Sequence, residues 1–131
     1  YLDAGDMYVL FTHGRAVAEA VITRREDGCE LKNLATEKDA RGKGYATRLY
    51  ERLLRTLRAQ GFCEAIAILG CPNLPSEKLH ESLGFSRIGT FAKAGYKLGQ
   101  WHDVKWYGLE LRPREDAPAD PIPFCALPPE D

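Results

Sequence analysis

Residues 7–12 and 16–24 are runs dominated by apolar positions that read as two strands, and His13-Gly14 between them suits a tight reversal. Asp27-Gly28 is expected to turn the chain again into a third strand over residues 29–36, which makes an antiparallel meander. From Tyr45 the pattern changes: Leu49, Leu53, Leu54 and Leu57 recur at helical spacing. Arg48, Arg52, Arg55 and Arg58 fall largely outside that stripe, so an amphipathic helix with a solvated basic face should run to about Gly61.

Residues 62–69 include Ala65-Ile66-Ala67-Ile68-Leu69, a run suited to a buried central strand reached through a parallel crossover that covers a sheet. A short helix should follow, with Pro75 near its first turn, Leu79 and Leu83 on its buried side and Gly84 as its left-handed terminal residue. Ile88 and Phe91 belong to a further strand. The last strand, residues 101–111, is expected to pair back through a connection over residues 95–100. The fold class is therefore α/β (α+β): a mixed, mostly antiparallel sheet with a central parallel crossover and flanking helices.

The chain has 131 residues, the size of one domain. Its organisation reads as a folded domain over residues 1–111 and a tail over 112–131. The tail holds six of the eight prolines, with Glu115, Asp116, Asp120, Glu130 and Asp131, and should be extended or disordered. A formal net charge of -1 gives no broad electrostatic case for nucleic acid. No apolar run has the length of a membrane span and no signal-peptide pattern opens the chain, so a cytoplasmic location is the expectation. Cys29, Cys63, Cys71 and Cys125 include no Cys-x-x-Cys pair, which argues for reduced, mostly packed thiols rather than a zinc site or a disulfide framework.

Chemistry enters at Arg41-Gly42-Lys43-Gly44-Tyr45-Ala46, where a strand passes into a helix. Glycines at 42 and 44 let backbone amides turn toward a ligand, and the helix start adds unpaired N–H groups and the positive end of its dipole. Successive amides of this kind form a nest suited to a pyrophosphate. The spacing is not that of a Walker loop, because one residue rather than four separates the glycines. A dinucleotide fingerprint is also excluded, since Thr47 stands where its third glycine would be.

The pattern Arg/Gln-x-x-Gly-x-Gly/Ala, here Arg41 to Ala46, resembles the acetyl-coenzyme A loop of the GNAT acetyltransferases. Asn73, the segment Leu79-His80-Glu81-Ser82-Leu83-Gly84-Phe85, Gly95-Tyr96-Lys97 and Trp101-His102-Asp103-Val104 look closest to the phosphinothricin and methionine sulfoximine acetyltransferase branch. The resemblance covers residues 7–111 and is weakest over the first forty. It implies the GNAT fold, and members usually carry a strand and one or two helices before this point, so the chain reads as truncated at its N-terminus. It also implies acetyl-CoA as co-substrate, contacted at Leu34, Ala35, Thr36, Arg41, Gly42, Lys43, Gly44, Tyr45 and Ala46. Asn73 resembles the asparagine that hydrogen-bonds the pantetheine arm.

Transfer to an amine requires that an alkylammonium lose a proton, so a base is needed. Glu30, eleven residues before Arg41, matches the glutamate of histone-acetyltransferase-like members. The phosphinothricin branch keeps its carboxylate ten residues before, where this chain has Leu31, and such a slip reverses a strand's face unless a bulge intervenes. His102 matches a catalytic or substrate-orienting histidine of that branch. His80 occupies the place where many members keep a tyrosine that protonates the departing thiolate; Tyr96 and Tyr107 are fallback donors. The implied activity is acetyl transfer to the primary amine of a small molecule or amino-acid analogue. A non-catalytic coenzyme-A-binding domain, or an enzyme acting on a protein or aminoacyl-tRNA amine, remains open, and the resemblance allows a homodimer.

Overall fold

The computed structural model describes residues 5–25 and 28–129; within the strands, the side chains of residues 5–8, 20–25, 28, 29, 32, 33 and 35 are outside the description. The expected Asp27-Gly28 reversal lies partly outside the described residues. The chain forms two compact units that meet in sequence at Leu53 and Leu54.

The first unit begins with strands β1 (Gly5–Thr12), β2 (Arg15–Arg25) and β3 (Gly28–Thr36), antiparallel in the order β1-β2-β3. His13 and Gly14 close the first hairpin as a two-residue loop, both with positive φ (52° and 74°), the geometry that matches strand twist. One helical turn at Lys38–Ala40 and a four-residue loop lead into helix α1 (Tyr45–Gln60). Leu49 of α1 packs on Ala18, with Tyr45, Leu10, Leu31 and Leu34 around them. This is the face that the leucine spacing anticipates.

Register matters here. Val21 pairs with Asn33 but Ile22 pairs with Leu31, so Lys32 is an extra residue in β3, a bulge that changes which face the preceding residues take. Leu31 and Leu34 consequently both reach the same apolar cluster, and Glu30, next to Leu31, faces away from it.

The second unit holds the end of α1 and strands β4 (Glu64–Cys71), β5 (Ser86–Lys97) and β6 (Gln100–Glu110), antiparallel in the order β4-β6-β5, with helix α2 (Leu74–Ser82) between β4 and β5. Both helices end on a left-handed glycine. Phe62 N–H donates to the Leu57 carbonyl and Gly61 N–H to Arg58; Phe85 N–H donates to His80 and Gly84 N–H to Glu81. These are the paired bonds of the Schellman motif.

The four strand pairings among the described residues are all antiparallel, in keeping with the mostly antiparallel sheet expected. Several other expectations need correction. Among the described residues of this unit β4 pairs with β6, and it alternates: Ala67, Leu69 and Cys71 are buried while Ile66 and Ile68 are 55% and 57% exposed, so it is half-buried and not the fully buried strand expected. Residues 95–97 belong to β5, and the connection shrinks to Leu98-Gly99, again with both φ positive. On α2 it is Glu77 and His80 that are buried, with Leu79 and Leu83 only half-buried.

The tail does not run free of the domain. Arg58 Nε donates to the Leu111 carbonyl at 2.8 Å, and Ile122 N–H and the Gln60 side chain exchange bonds with Gln60 and Ile122 carbonyls at 2.8 and 3.0 Å, followed by one helical turn at Phe124–Ala126. These bonds satisfy groups at the end of α1 that would otherwise need water. Cys71 is buried, Cys63 half-buried and Cys125 exposed. No helix among the described residues is long and apolar enough to cross a membrane.

Candidate functional site

Gly42 and Gly44 have φ of 75° and 78°, and a Cβ built at either would meet nothing within 4 Å. Their conformation, rather than crowding, is what calls for glycine. Residues 41–44 are exposed, and Arg41 Nε is 3.3 Å from the Thr36 carbonyl, tying the loop back to the end of β3. The first bond of α1 runs from Arg48 N–H to the Gly44 carbonyl at 3.0 Å, so Gly44 is the capping residue and has no side chain with which to cap.

Six consecutive amides, from Gly42 to Thr47, donate to no other described residue. The first turn of α1 carries no acidic side chain to occupy them. An anion with several oxygens is the ligand that this arrangement suits. Upstream, β3 is an edge strand of its sheet, so the backbone of Leu34, Ala35 and Thr36 can pair outward with an extended, amide-bearing ligand. Tyr45 and Ala46 are half-buried as the helix starts. The exposed side chain of Lys43 stands in the loop itself.

Glu30 is half-buried, opposite Thr23. The bulge at Lys32 puts Glu30 and Leu34 on opposite faces of β3.

In the second unit, Asn73 caps α2: its Oδ1 accepts from Ser76 N–H at 3.3 Å, leaving the exposed amide's Nδ2 group without a partner among the described residues. His80 is 7% exposed, with Nδ1 2.7 Å from the Ser76 carbonyl and its ring edge-on to Phe85. His102 sits in β6 with Nδ1 3.3 Å from the Cys71 carbonyl and Nε2 3.0 Å from the Lys97 carbonyl. A neutral imidazole can donate to one of these carbonyls but not to both. Asp103 Oδ1 instead accepts from Lys93 N–H at 2.9 Å, where β5 bulges between Phe91 and Gly95. Tyr107 is 1% exposed with its hydroxyl on Glu77, and Tyr96 is exposed and edge-on to Trp101. A cleft of about 190 Å³ between the end of α1 and the tail, lined by Gln60, Cys63, Arg112 and Ile122 among others, includes none of the candidate residues.

The acetyltransferase (GNAT) family model matches residues 2–85. The chain belongs to the GNAT acetyltransferase family. It is 44% identical over 80 residues to a phosphinothricin N-acetyltransferase of Streptomyces viridochromogenes, a match spanning 61% of this chain and 42% of that protein. It is 38% identical over 80 residues to an L-methionine sulfoximine/L-methionine sulfone acetyltransferase of Pseudomonas aeruginosa, covering 61% of this chain and 46% of that one. The chain thus spans under half the length of these two relatives. Among solved structures, a GNAT superfamily phosphinothricin acetyltransferase from Sinorhizobium meliloti in complex with acetyl-CoA superposes with a TM-score of 0.69 at 28% identity, covering 86% of this chain and 67% of that one.

Two arrangements in this GNAT chain escape a reading of the sequence. Arg15 and Asp39 form a two-pronged ion pair, at 2.8 and 2.5 Å, that braces the helical turn before the glycine loop. The hydrogen bond from Arg15 holds the Asp39 carboxyl below its ordinary range, with Lys43 contributing, and Asp39 in turn raises Arg15. The second is Glu77, 8% exposed, whose Oε1 accepts from Lys105 Nζ and, at 3.3 Å, from the Tyr107 hydroxyl. Lys105's hydrogen bond lowers the Glu77 pKa, Glu77's raises that of Lys105, and burial raises that of Tyr107. A lone glutamate on a short helix reads as solvated; its partners lie about thirty residues away.

Proposed function

We propose that the chain is an acetyl-CoA-dependent N-acetyltransferase that acts in the cytoplasm on the primary amine of a small molecule, with amino-acid analogues such as phosphinothricin and methionine sulfoximine as the leading acceptor class. The observation that carries this reading is the run of six unpartnered amides at Gly42–Thr47, at a helix start free of acidic side chains. The 44% and 38% identities to acetyltransferases named for those acceptors support the substrate class.

In the first unit the amides of residues 42–47 hold the pyrophosphate, and the outer edge at Leu34, Ala35 and Thr36 receives the pantetheine amides. In the second unit Asn73 offers Nδ2 to the same kind of amide-bearing arm. Acetyl-CoA, when bound, supplies a thioester whose carbonyl carbon the amine attacks; the C–S bond breaks, the acetyl group becomes an amide, and the coenzyme leaves as a thiolate that takes up a proton. Glu30 removes the proton from the acceptor ammonium, since it faces away from the apolar cluster of its unit. His102 is read as holding the end of β4 to β5, because both of its nitrogens meet backbone carbonyls.

The engagement of His102 favours one second reading, a domain that binds coenzyme A without turnover. Thiol release from acetyl-CoA, followed over a panel of amino acids that includes phosphinothricin and methionine sulfoximine, tests both. Turnover on one of these amines supports the enzyme; tight binding with no turnover on any acceptor supports the binding domain.

A further inference from the structure

Asn73 is held from two directions. Its Oδ1 takes the Ser76 N–H, and its backbone carbonyl takes the Glu77 N–H at 3.0 Å. Glu77 makes that second hold, and its carboxylate is fixed by Lys105 and by Tyr107, neighbours on one face of β6. The route from the sheet to the α2 cap is therefore continuous: Lys105 ammonium and Tyr107 hydroxyl to the Glu77 carboxylate, and Glu77 N–H to the Asn73 carbonyl.

The burial of these groups makes the route selective. Tyr107 is enclosed and Glu77 is nearly so, and a carboxylate in that setting depends on its partners to remain charged and in place. The α2 cap has no second ionic tie among the described residues.

We infer that Lys105 and Tyr107 are positioning residues that, through Glu77, fix the Asn73 side chain in the orientation that binds the amide-bearing arm of acetyl-CoA, and so set affinity for the co-substrate rather than the rate of chemistry. This rests on the acetyl-CoA reading above.

Lys105→Met tests it, with Lys105→Arg as the conservative variant. Amide hydrogen exchange on the ligand-free protein should quicken at Ser76 and Glu77 in Lys105→Met and stay near wild type in Lys105→Arg. The calorimetric Kd for acetyl-CoA should rise by about threefold to tenfold in Lys105→Met, the worth of one hydrogen bond, with kcat near wild type and affinity recovered in Lys105→Arg. If Lys105→Met does not fold, Tyr107→Phe carries the same measurements, with a Kd that rises in the same direction. Exchange as slow as wild type would overturn the positioning role; loosened amides with unchanged Kd would overturn its link to the ligand. Failure of the wild-type protein to bind acetyl-CoA at all would instead remove the functional reading on which the inference rests, and the inference with it.

Discussion

Replacing Gly44 with Asp separates the stability of the glycine loop from its ligand. Gly44 has φ of 78° and open space where a Cβ would stand, so a side chain there meets no steric conflict and incurs only the left-handed penalty of about 1 kcal/mol. For a chain of this size that corresponds to a fall in Tm of about 3–5 °C. The effect on binding should be larger. A carboxylate about 5 Å from a pyrophosphate carrying about two charges is repelled by about 2 kcal/mol at the dielectric of water, and by more where solvent is partly excluded. The expected loss of acetyl-CoA affinity is therefore more than about tenfold, since about 1.4 kcal/mol is a factor of ten. Gly44→Ala supplies the comparison, because it carries the conformational cost without the charge. Isothermal calorimetry and thermal melts on the three proteins give both quantities. A folded Gly44→Asp protein that binds acetyl-CoA within twofold of wild type would refute the placement of the pyrophosphate at this loop.

Other expectations follow from the same geometry. Glu30→Gln should lower kcat by about a hundredfold or more, the scale of a lost general base, and His102→Phe should lower Tm more than it lowers kcat; the reverse order would make His102 the base. The Glu77 carboxyl is lowered and Lys105 raised by their mutual hydrogen bond, so the pair's contribution to stability is complete above the ordinary carboxylate range and below the ordinary lysine range. It is lost as pH falls through the lowered Glu77 value or rises through the raised Lys105 value. Melts of wild type and Glu77→Gln should accordingly differ most near neutrality and draw together in acid as the pH falls through the lowered Glu77 value, beneath the ordinary carboxylate range; a gap that does not narrow on acidification would contradict the pairing. Truncation after Arg112 removes the two bonds between Gln60 and Ile122, worth about 1–3 kcal/mol together, and should lower Tm by several degrees. An unchanged melt would mean that the tail contributes nothing to the fold.

Local signals in the sequence are reliable where one or two residues decide the conformation. His13-Gly14, Gly61 and Gly84 each sit in the left-handed region that their turn or cap requires, and the leucines of α1 find the apolar cluster that their spacing implies. What the sequence hides depends on partners distant along the chain. The bulge at Lys32 has no propensity signature, yet it decides the face of Glu30. The buried face of α2 differs from the expected one because Glu77 reads as a solvated charge until Lys105 and Tyr107 are brought to it by β6. In β4, an unbroken apolar run conceals an alternation in which the isoleucines face outward. The proline-rich tail reads as unable to order, and its return depends on a backbone pairing with Gln60 that composition does not report. For the candidate site, the left-handed turns at Gly42 and Gly44 are legible from the glycines themselves, while the anion reading rests on the resemblance of the whole Arg41 to Ala46 pattern. The engagement of both His102 nitrogens is not, since Cys71 and Lys97 contribute only their backbone carbonyls.

The central claim, that the amides at the start of α1 hold the pyrophosphate of acetyl-CoA, is tested most directly by amide chemical shifts. In a titration of the isotope-labelled protein with acetyl-CoA, the resonances of Gly42, Lys43, Gly44, Tyr45, Ala46 and Thr47 should move together, saturating at one dissociation constant. Saturable binding that leaves Gly42 and Gly44 unmoved, with shifts confined to other residues, would contradict it.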